Sequence, residues 1–108
     1  MSNPWRGEVE IVIDGAPHTM RLTLGALAEL EDKLQAESLV DLVERFESGA
    51  FRSADVLALL VAGLSGGGTR LDQADLLSAD IDGGPMAAAK AAAKLLALAF
   101  AEPGYADA

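Results

Sequence analysis

Apolar and polar positions alternate with a period of two from Glu8 to Ile13, where Val9, Ile11 and Ile13 interleave with Glu8, Glu10 and Val12. Asp14-Gly15 follows, a dipeptide suited to the positive φ angles of a two-residue hairpin turn. The pattern predicts a β-hairpin over 7–22. With Asp14 and Gly15 as the loop, Ile13 faces Ala16, Ile11 faces His18 and Val9 faces Met20 on one side, while Glu8 faces Arg21 on the other. Apolar thus meets apolar, and charge meets opposite charge. Pro17 falls at a non-hydrogen-bonded position, where its missing N–H costs no ladder bond and blunts that edge against a further strand.

From Leu24 the period becomes helical. Leu24, Leu27, Leu30 and Leu34 recur with Glu29, Asp32 and Lys33 opposite, and Thr23 stands at the N-cap. Ser38 and Asp41 form an imperfect capping box for a second helix, which buries Leu39, Leu42, Val43 and Phe46 and ends at Gly49. Asp41, Glu44, Arg45 and Glu47 are left for solvent. Ser53 is placed to cap a third helix whose Val56, Leu57, Leu59, Leu60, Val61 and Leu64 are apolar nearly all round, as in a central helix, until Ser65-Gly66-Gly67-Gly68 stops it. A short helix is expected around Leu71 to Leu77. After a break at Asp82-Gly83-Gly84-Pro85, with Pro85 at the first helical position, a last helix runs to about Ala101.

The fold class expected is α+β, mostly α: an N-terminal β-hairpin followed by four or five helices in a small bundle. With 108 residues there is room for one modest core and not two, so residues 1–108 read as a single domain. Its parts are a flexible N-terminus 1–6, the hairpin 7–22, a helical part 23–101 and a loose tail 102–108. Apolar residues are 51% of the chain but aromatics only 5%, which favours close-packed Leu, Val, Ile and Ala over a deep aromatic-lined pocket. Such a core leaves room for support from a homo-oligomer.

Seventeen acidic against eight basic residues give a net charge of -9. That field repels phosphate backbones and anionic lipid, so neither nucleic acid nor membrane is an expected partner, and a basic or apolar one is. The absence of cysteine excludes disulfides and thiolate metal sites and is compatible with a reducing cytosol. Met1 to Gly7 is polar with no apolar run behind it, Val56 to Leu64 is too short to span a bilayer, and Lys90 and Lys94 interrupt Met86 to Ala101. A cytoplasmic protein is expected.

Chemistry is hard to assemble from these residues. His18 is the sole histidine, which rules out a Ser-His-Asp triad or a multi-histidine metal site within one chain, and it reads as a strand residue packing on Ile11. Ser78-x-Asp80-x-Asp82-Gly83 matches half of a calcium loop, but the twelfth position, which needs a bidentate acid, is Ala89. It reads as a helix-linking loop. Gly63 to Thr69 has the glycines and hydroxyl of a phosphate-binding loop but no lysine before Thr69, and it follows a helix where a strand is required. It reads as a flexible connector. No enzyme activity, cofactor or metal is expected. The last helix carries a broad face of small side chains, which suits a helix-in-groove contact with a partner or a seam against the central helix. Ala88, Ala89, Ala92, Leu96 and Phe100 are the candidate partner-binding residues.

Arg6-Gly7-Glu8, the hairpin through Asp14-Gly15, then Leu22-Thr23-Leu24-Gly25-Ala26-Leu27-Ala28-Glu29-Leu30-Glu31, Leu39-Val40-Asp41-Leu42-Val43-Glu44-Arg45-Phe46 and Asp55-Val56-Leu57-Ala58-Leu59-Leu60 carry a family resemblance. In this order they resemble the small tail protein of phage-derived gene transfer agents, a family grouped with tail assembly chaperones whose members also carry the label of tail tube proteins. The likeness runs from Arg6 to about Phe100 and lends nothing over Gly66 to Gly84. It implies a tail assembly chaperone of the host cytoplasm that binds the tape measure protein and delivers it to tail tube protein. The alternative is a structural tail (tube) component retained in the particle. Against it, a tube subunit normally supplies long strands to a ring-shaped sheet, and one short hairpin is legible here.

Overall fold

A computed structural model describes residues 7–34 and 38–100. The expected flexible N-terminus 1–6, the tail 102–108 and Ala101 lie outside them. Strands β1 (Glu8–Ile13) and β2 (Ala16–Arg21) form an antiparallel hairpin, followed by helices α1 (Leu24–Leu34), α2 (Leu39–Ser48), α3 (Ser53–Gly66), α4 (Gln73–Leu77) and α5 (Gly84–Ala99). The α+β, mostly α class holds. The hairpin register is the expected one, from Glu8 opposite Arg21 to Ile13 opposite Ala16. Asp14 and Gly15 have φ of 51° and 81°, the double left-handed turn whose twist matches that of the strands. Val9, Ile11, Ile13 and Met20 are buried on the inner face.

Helix α3 is the centre, packed against β2, α1, α4 and α5. Its residues 58–64 are buried without interruption, as expected of a helix apolar nearly all round. The glycines at its end are not the flexible connector anticipated for 63–69. A Cβ on Gly66 would lie 1.9 Å from the Arg21 carbonyl oxygen, and one on Gly67 would lie 1.9 Å from that of Thr19. Only glycine lets the helix end lie directly on the β2 backbone. Gly63, one turn earlier, makes room for Leu95 and Met20 in the same way.

Several caps follow expectation. Thr23 Oγ1 accepts from the Ala26 N–H at 3.1 Å. Ser38 and Asp41 make a complete capping box, each side chain accepting from the other's N–H at 3.1 Å, and Gly49 closes α2 in the left-handed conformation. Others are corrected. Arg52, not Ser53, occupies the N-cap of α3, because Asp55 in the first turn reaches back to accept from the Arg52 N–H at 2.8 Å. Gly83 is the N-cap of α5, so Pro85 is its second residue, and the helix ends at Ala99 with Phe100 as its C-cap. In α1 the buried stripe is Ala26, Leu30 and Leu34, and Leu24 is 86% exposed. Two residues turn a helix by about 200°, so Leu24 lies on the opposite side from Ala26.

An unexpected contact completes the hairpin. The Asp14 N–H donates to the Asp80 carbonyl at 2.7 Å, and the Asp82 N–H donates to the Val12 carbonyl at 3.0 Å. Ile13 and Ile81 thereby form an antiparallel bridge, and the Asp14 carboxylate accepts from the Asp80 N–H at 2.9 Å. The segment read as half a calcium loop pairs with the outer edge of β1 through this single bridge.

Gly67→Ala is expected to lower stability by about 1–3 kcal/mol, because the clash is with backbone that cannot rotate away. Gly25→Ala, where the nearest outside atom is 3.9 Å from the new Cβ, should leave stability unchanged or raise it by up to ~1 kcal/mol. Urea unfolding of the two variants against the parent checks the contrast.

Candidate interaction surface

The residues that sequence reasoning set aside for chemistry are dispersed by the fold. His18 is half-buried opposite Ile11 in the hairpin. Asp80 and Asp82 serve the β1 edge through their backbone. Among the described residues no three His, Cys, Asp or Glu side chains converge as a metal site would require. A polar hollow of about 430 Å³ lies between α1, α3 and the start of α4, with Glu29, Asp32, Asp72 and Asp75 set against Lys33 and Arg70. With four acids to two cations the hollow is net acidic, and among the described residues no buried side-chain nitrogen or oxygen lacks a hydrogen-bond partner.

The concave surface of different character runs beside α5. A hollow of about 460 Å³, lined mostly by apolar groups with Ser53 and Asp80 at its polar margin, is bounded by Phe51, Leu57 and Leu60 along α3 and just before it, by Leu77 of α4 and by Pro85 and Ala89 of α5. A second, of about 320 Å³, opens between Val43 and Phe46 of α2 and Ala93, Ala97 and Phe100 at the far end of α5. Phe46 and Phe51 stack with ring centroids 4.6 Å apart and nearly parallel planes, one ring lining each hollow. Of the five candidate partner-binding residues, Ala88, Ala92 and Leu96 are buried, Ala89 is half-buried, and Phe100 is 46% exposed. The small-residue face of α5 is therefore split. One part forms the seam with α3, and the row Ala89, Ala93, Ala97 borders the hollows.

The side chain that holds this surface together was not singled out in the sequence. Asp55 is only 2% exposed. Arg45, expected to face solvent, instead turns inward and clasps it with both arms, Nε to Oδ2 at 3.0 Å and Nη2 to Oδ1 at 2.9 Å. Arg52 adds its backbone N–H at 2.8 Å and a longer guanidinium contact at 3.4 Å. Burial opposes ionisation of Asp55, but the hydrogen bonds from Arg45 and Arg52 outweigh it and hold the carboxyl below the usual range. The pair ties α2 to the first turn of α3, beside the Phe46–Phe51 stack. The available signal was an acid at the third position of a helix, which reads equally well as a simple cap.

The family model described as Phage tail tube protein, GTA-gp10 matches residues 6–102. The chain belongs to this family. It is a phage-type tail protein, as the resemblance implied, while the family's description names the tail tube and not a chaperone. No curated protein and no solved structure matches the chain. Among the described residues no helix is long and apolar enough to cross a membrane.

Replacing Asp55 with Asn is expected to cost about 3 kcal/mol at pH 7, because a clasped guanidinium loses its counter-charge. Since the folded-state pKa is lowered, this contribution is fully present above the unfolded value of about 3.9 and is lost as pH falls through the folded value. Chemical unfolding of parent and D55N between neutral and acid pH should show the difference shrinking below about pH 4.

Proposed function

We propose that the chain is a structural component of a phage-like tail, retained in the particle in association with the tail tube. The observation that carries this reading is the match to the tail tube family over residues 6–102. The chain contributes by holding other polypeptides and carries out no reaction. Mass spectrometry of purified particles tests it: many copies per particle are expected, and absence from particles despite abundance in the producing cells would overturn it.

A second reading, a tail assembly chaperone that binds the tape measure protein in the cytoplasm, is favoured by one observation. Among the described residues the sheet has two six-residue strands. The β2 backbone is overlaid by Gly66 and Gly67, and the tip of β1 is paired with 80–82. That leaves little open edge for a ring-shaped sheet to extend. Under this reading, co-expression with the tape measure protein raises the latter's solubility and the two co-purify.

A further inference from the structure

The two hollows beside α5 lie in series. Pro85, Ala89, Ala93 and Ala97 follow at four-residue intervals and so form one row along the helix, the first pair lining one hollow and the second pair the other. The Phe46–Phe51 stack stands where the hollows meet. From Pro85 to Phe100 the helix advances roughly 22 Å, the length of about four helical turns. We propose that this trough is a docking site for an amphipathic helix of another polypeptide, with apolar anchors at helical spacing and Lys or Arg along its flanks.

Three observations lead there. The trough is largely apolar, and large apolar groups stand exposed at it: Leu77 at 72% and Phe100 at 46%. Exposed apolar groups clustered on one concavity are the mark of an interaction surface, which the same groups scattered singly would not be. The alanine row keeps one wall low, so that an incoming helix can bring its backbone close and set side chains into the hollows.

Charge chooses among occupants. Asp80 lines the first hollow and Glu47 the second, and exposed Glu44 and Asp82 stand on the same flanking segments. Lys90 and Lys94 lie on the other side of α5, where they line the cleft with Glu8 and Glu10 of β1. The basic residues on the flanking segments, Arg45 and Arg52, both pair with Asp55. A second copy of the chain would bring the same acidic rim and a net charge of -9. The chain's own last residues carry Glu102 and Asp107. A helix flanked by basic residues complements the rim where these two do not.

The inference goes beyond the tail assignment and is read on the purified chain alone, so its failure leaves the particle measurement standing. The probe is a fluorescent synthetic peptide of about four turns, with Leu at positions i, i+3, i+7 and i+10 and Lys beside them, titrated with the full chain in an anisotropy assay. Saturable binding is expected, at least tenfold weaker for the same peptide with Glu in place of Lys and for one with its Leu positions shuffled. Leu77→Ser with Ala93→Gln, both at exposed positions, should weaken binding at least tenfold while circular dichroism and the melting curve stay unchanged. Absence of saturation, equal binding of the Glu peptide, or indifference to the double substitution would overturn the proposal. So would a concentration-dependent dimer dissolved by that double substitution, which would give the trough to a second copy. A tenfold gain in affinity on Tyr105→Ser would give it to the chain's own terminus and overturn it as well.

Discussion

The close approach of α3 to β2 is the constraint around which the rest is arranged. A helix normally stands off a strand by the thickness of its side chains, but at Gly66 and Gly67 the α3 terminus meets the carbonyl oxygens of Arg21 and Thr19 with only hydrogens between. The hairpin's inner face is thereby held against the helix, with Met20 wholly buried between them and Gly63 clearing space for it and for Leu95. Because α3 is covered on all sides, α1, α4 and α5 each find an apolar face to dock on. An aromatic-poor chain reaches native packing in this way, through small residues that shorten distances and not through large ones that fill them.

Helix α2 is attached by a different kind of force. Leu42 is its one fully buried side chain, and the remaining apolar residues Leu39, Val43 and Phe46 are only partly covered. What fixes its position is directional: the two-armed clasp of Arg45 on Asp55 and the stacked rings of Phe46 and Phe51. Paired guanidinium and carboxylate geometry sets an orientation that apolar contact alone leaves free. This orientation determines the width of the hollow between α2 and α5, so a buried ion pair far from any chemistry shapes the surface offered to partners.

Local rules made the hairpin and the caps legible. A period of two, an Asp-Gly turn and cross-strand pairing all pointed to one register, and Thr23, Ser38 and Gly49 sit where short-range hydrogen bonding requires them. What sequence could not display was decided between distant segments. Arg45 looks like any cation on a polar helix face until the fold brings Asp55 to it, and the glycines after Leu64 look like a hinge until β2 is laid beneath them. The segment 80–82 has no alternation of its own to mark it as a partner of β1, since a single bridge needs none. For Leu24, leucine spacing suggested one stripe, but Ala26 proved the better core residue because the tight packing left space for a methyl group. The face of α5 presented a similar ambiguity: alanine suits both a buried seam and an open wall, and here it serves as both.

The bridge between Ile13 and Ile81 carries a consequence for how the chain is made. The Asp14 and Asp80 residues that flank it are 66 positions apart. The hairpin closes through a two-residue loop and can form as soon as it is synthesised, whereas its outer rim acquires a neighbour only after α3 and α4 have emerged and the long intervening loop has been closed at an entropic cost. During that interval a nascent chain presents bare strand backbone at Val12 and Asp14, the kind of edge that recruits other nascent chains. In a cell producing many copies at once, the rate at which residues 80–82 arrive limits how long each molecule remains open to misassociation.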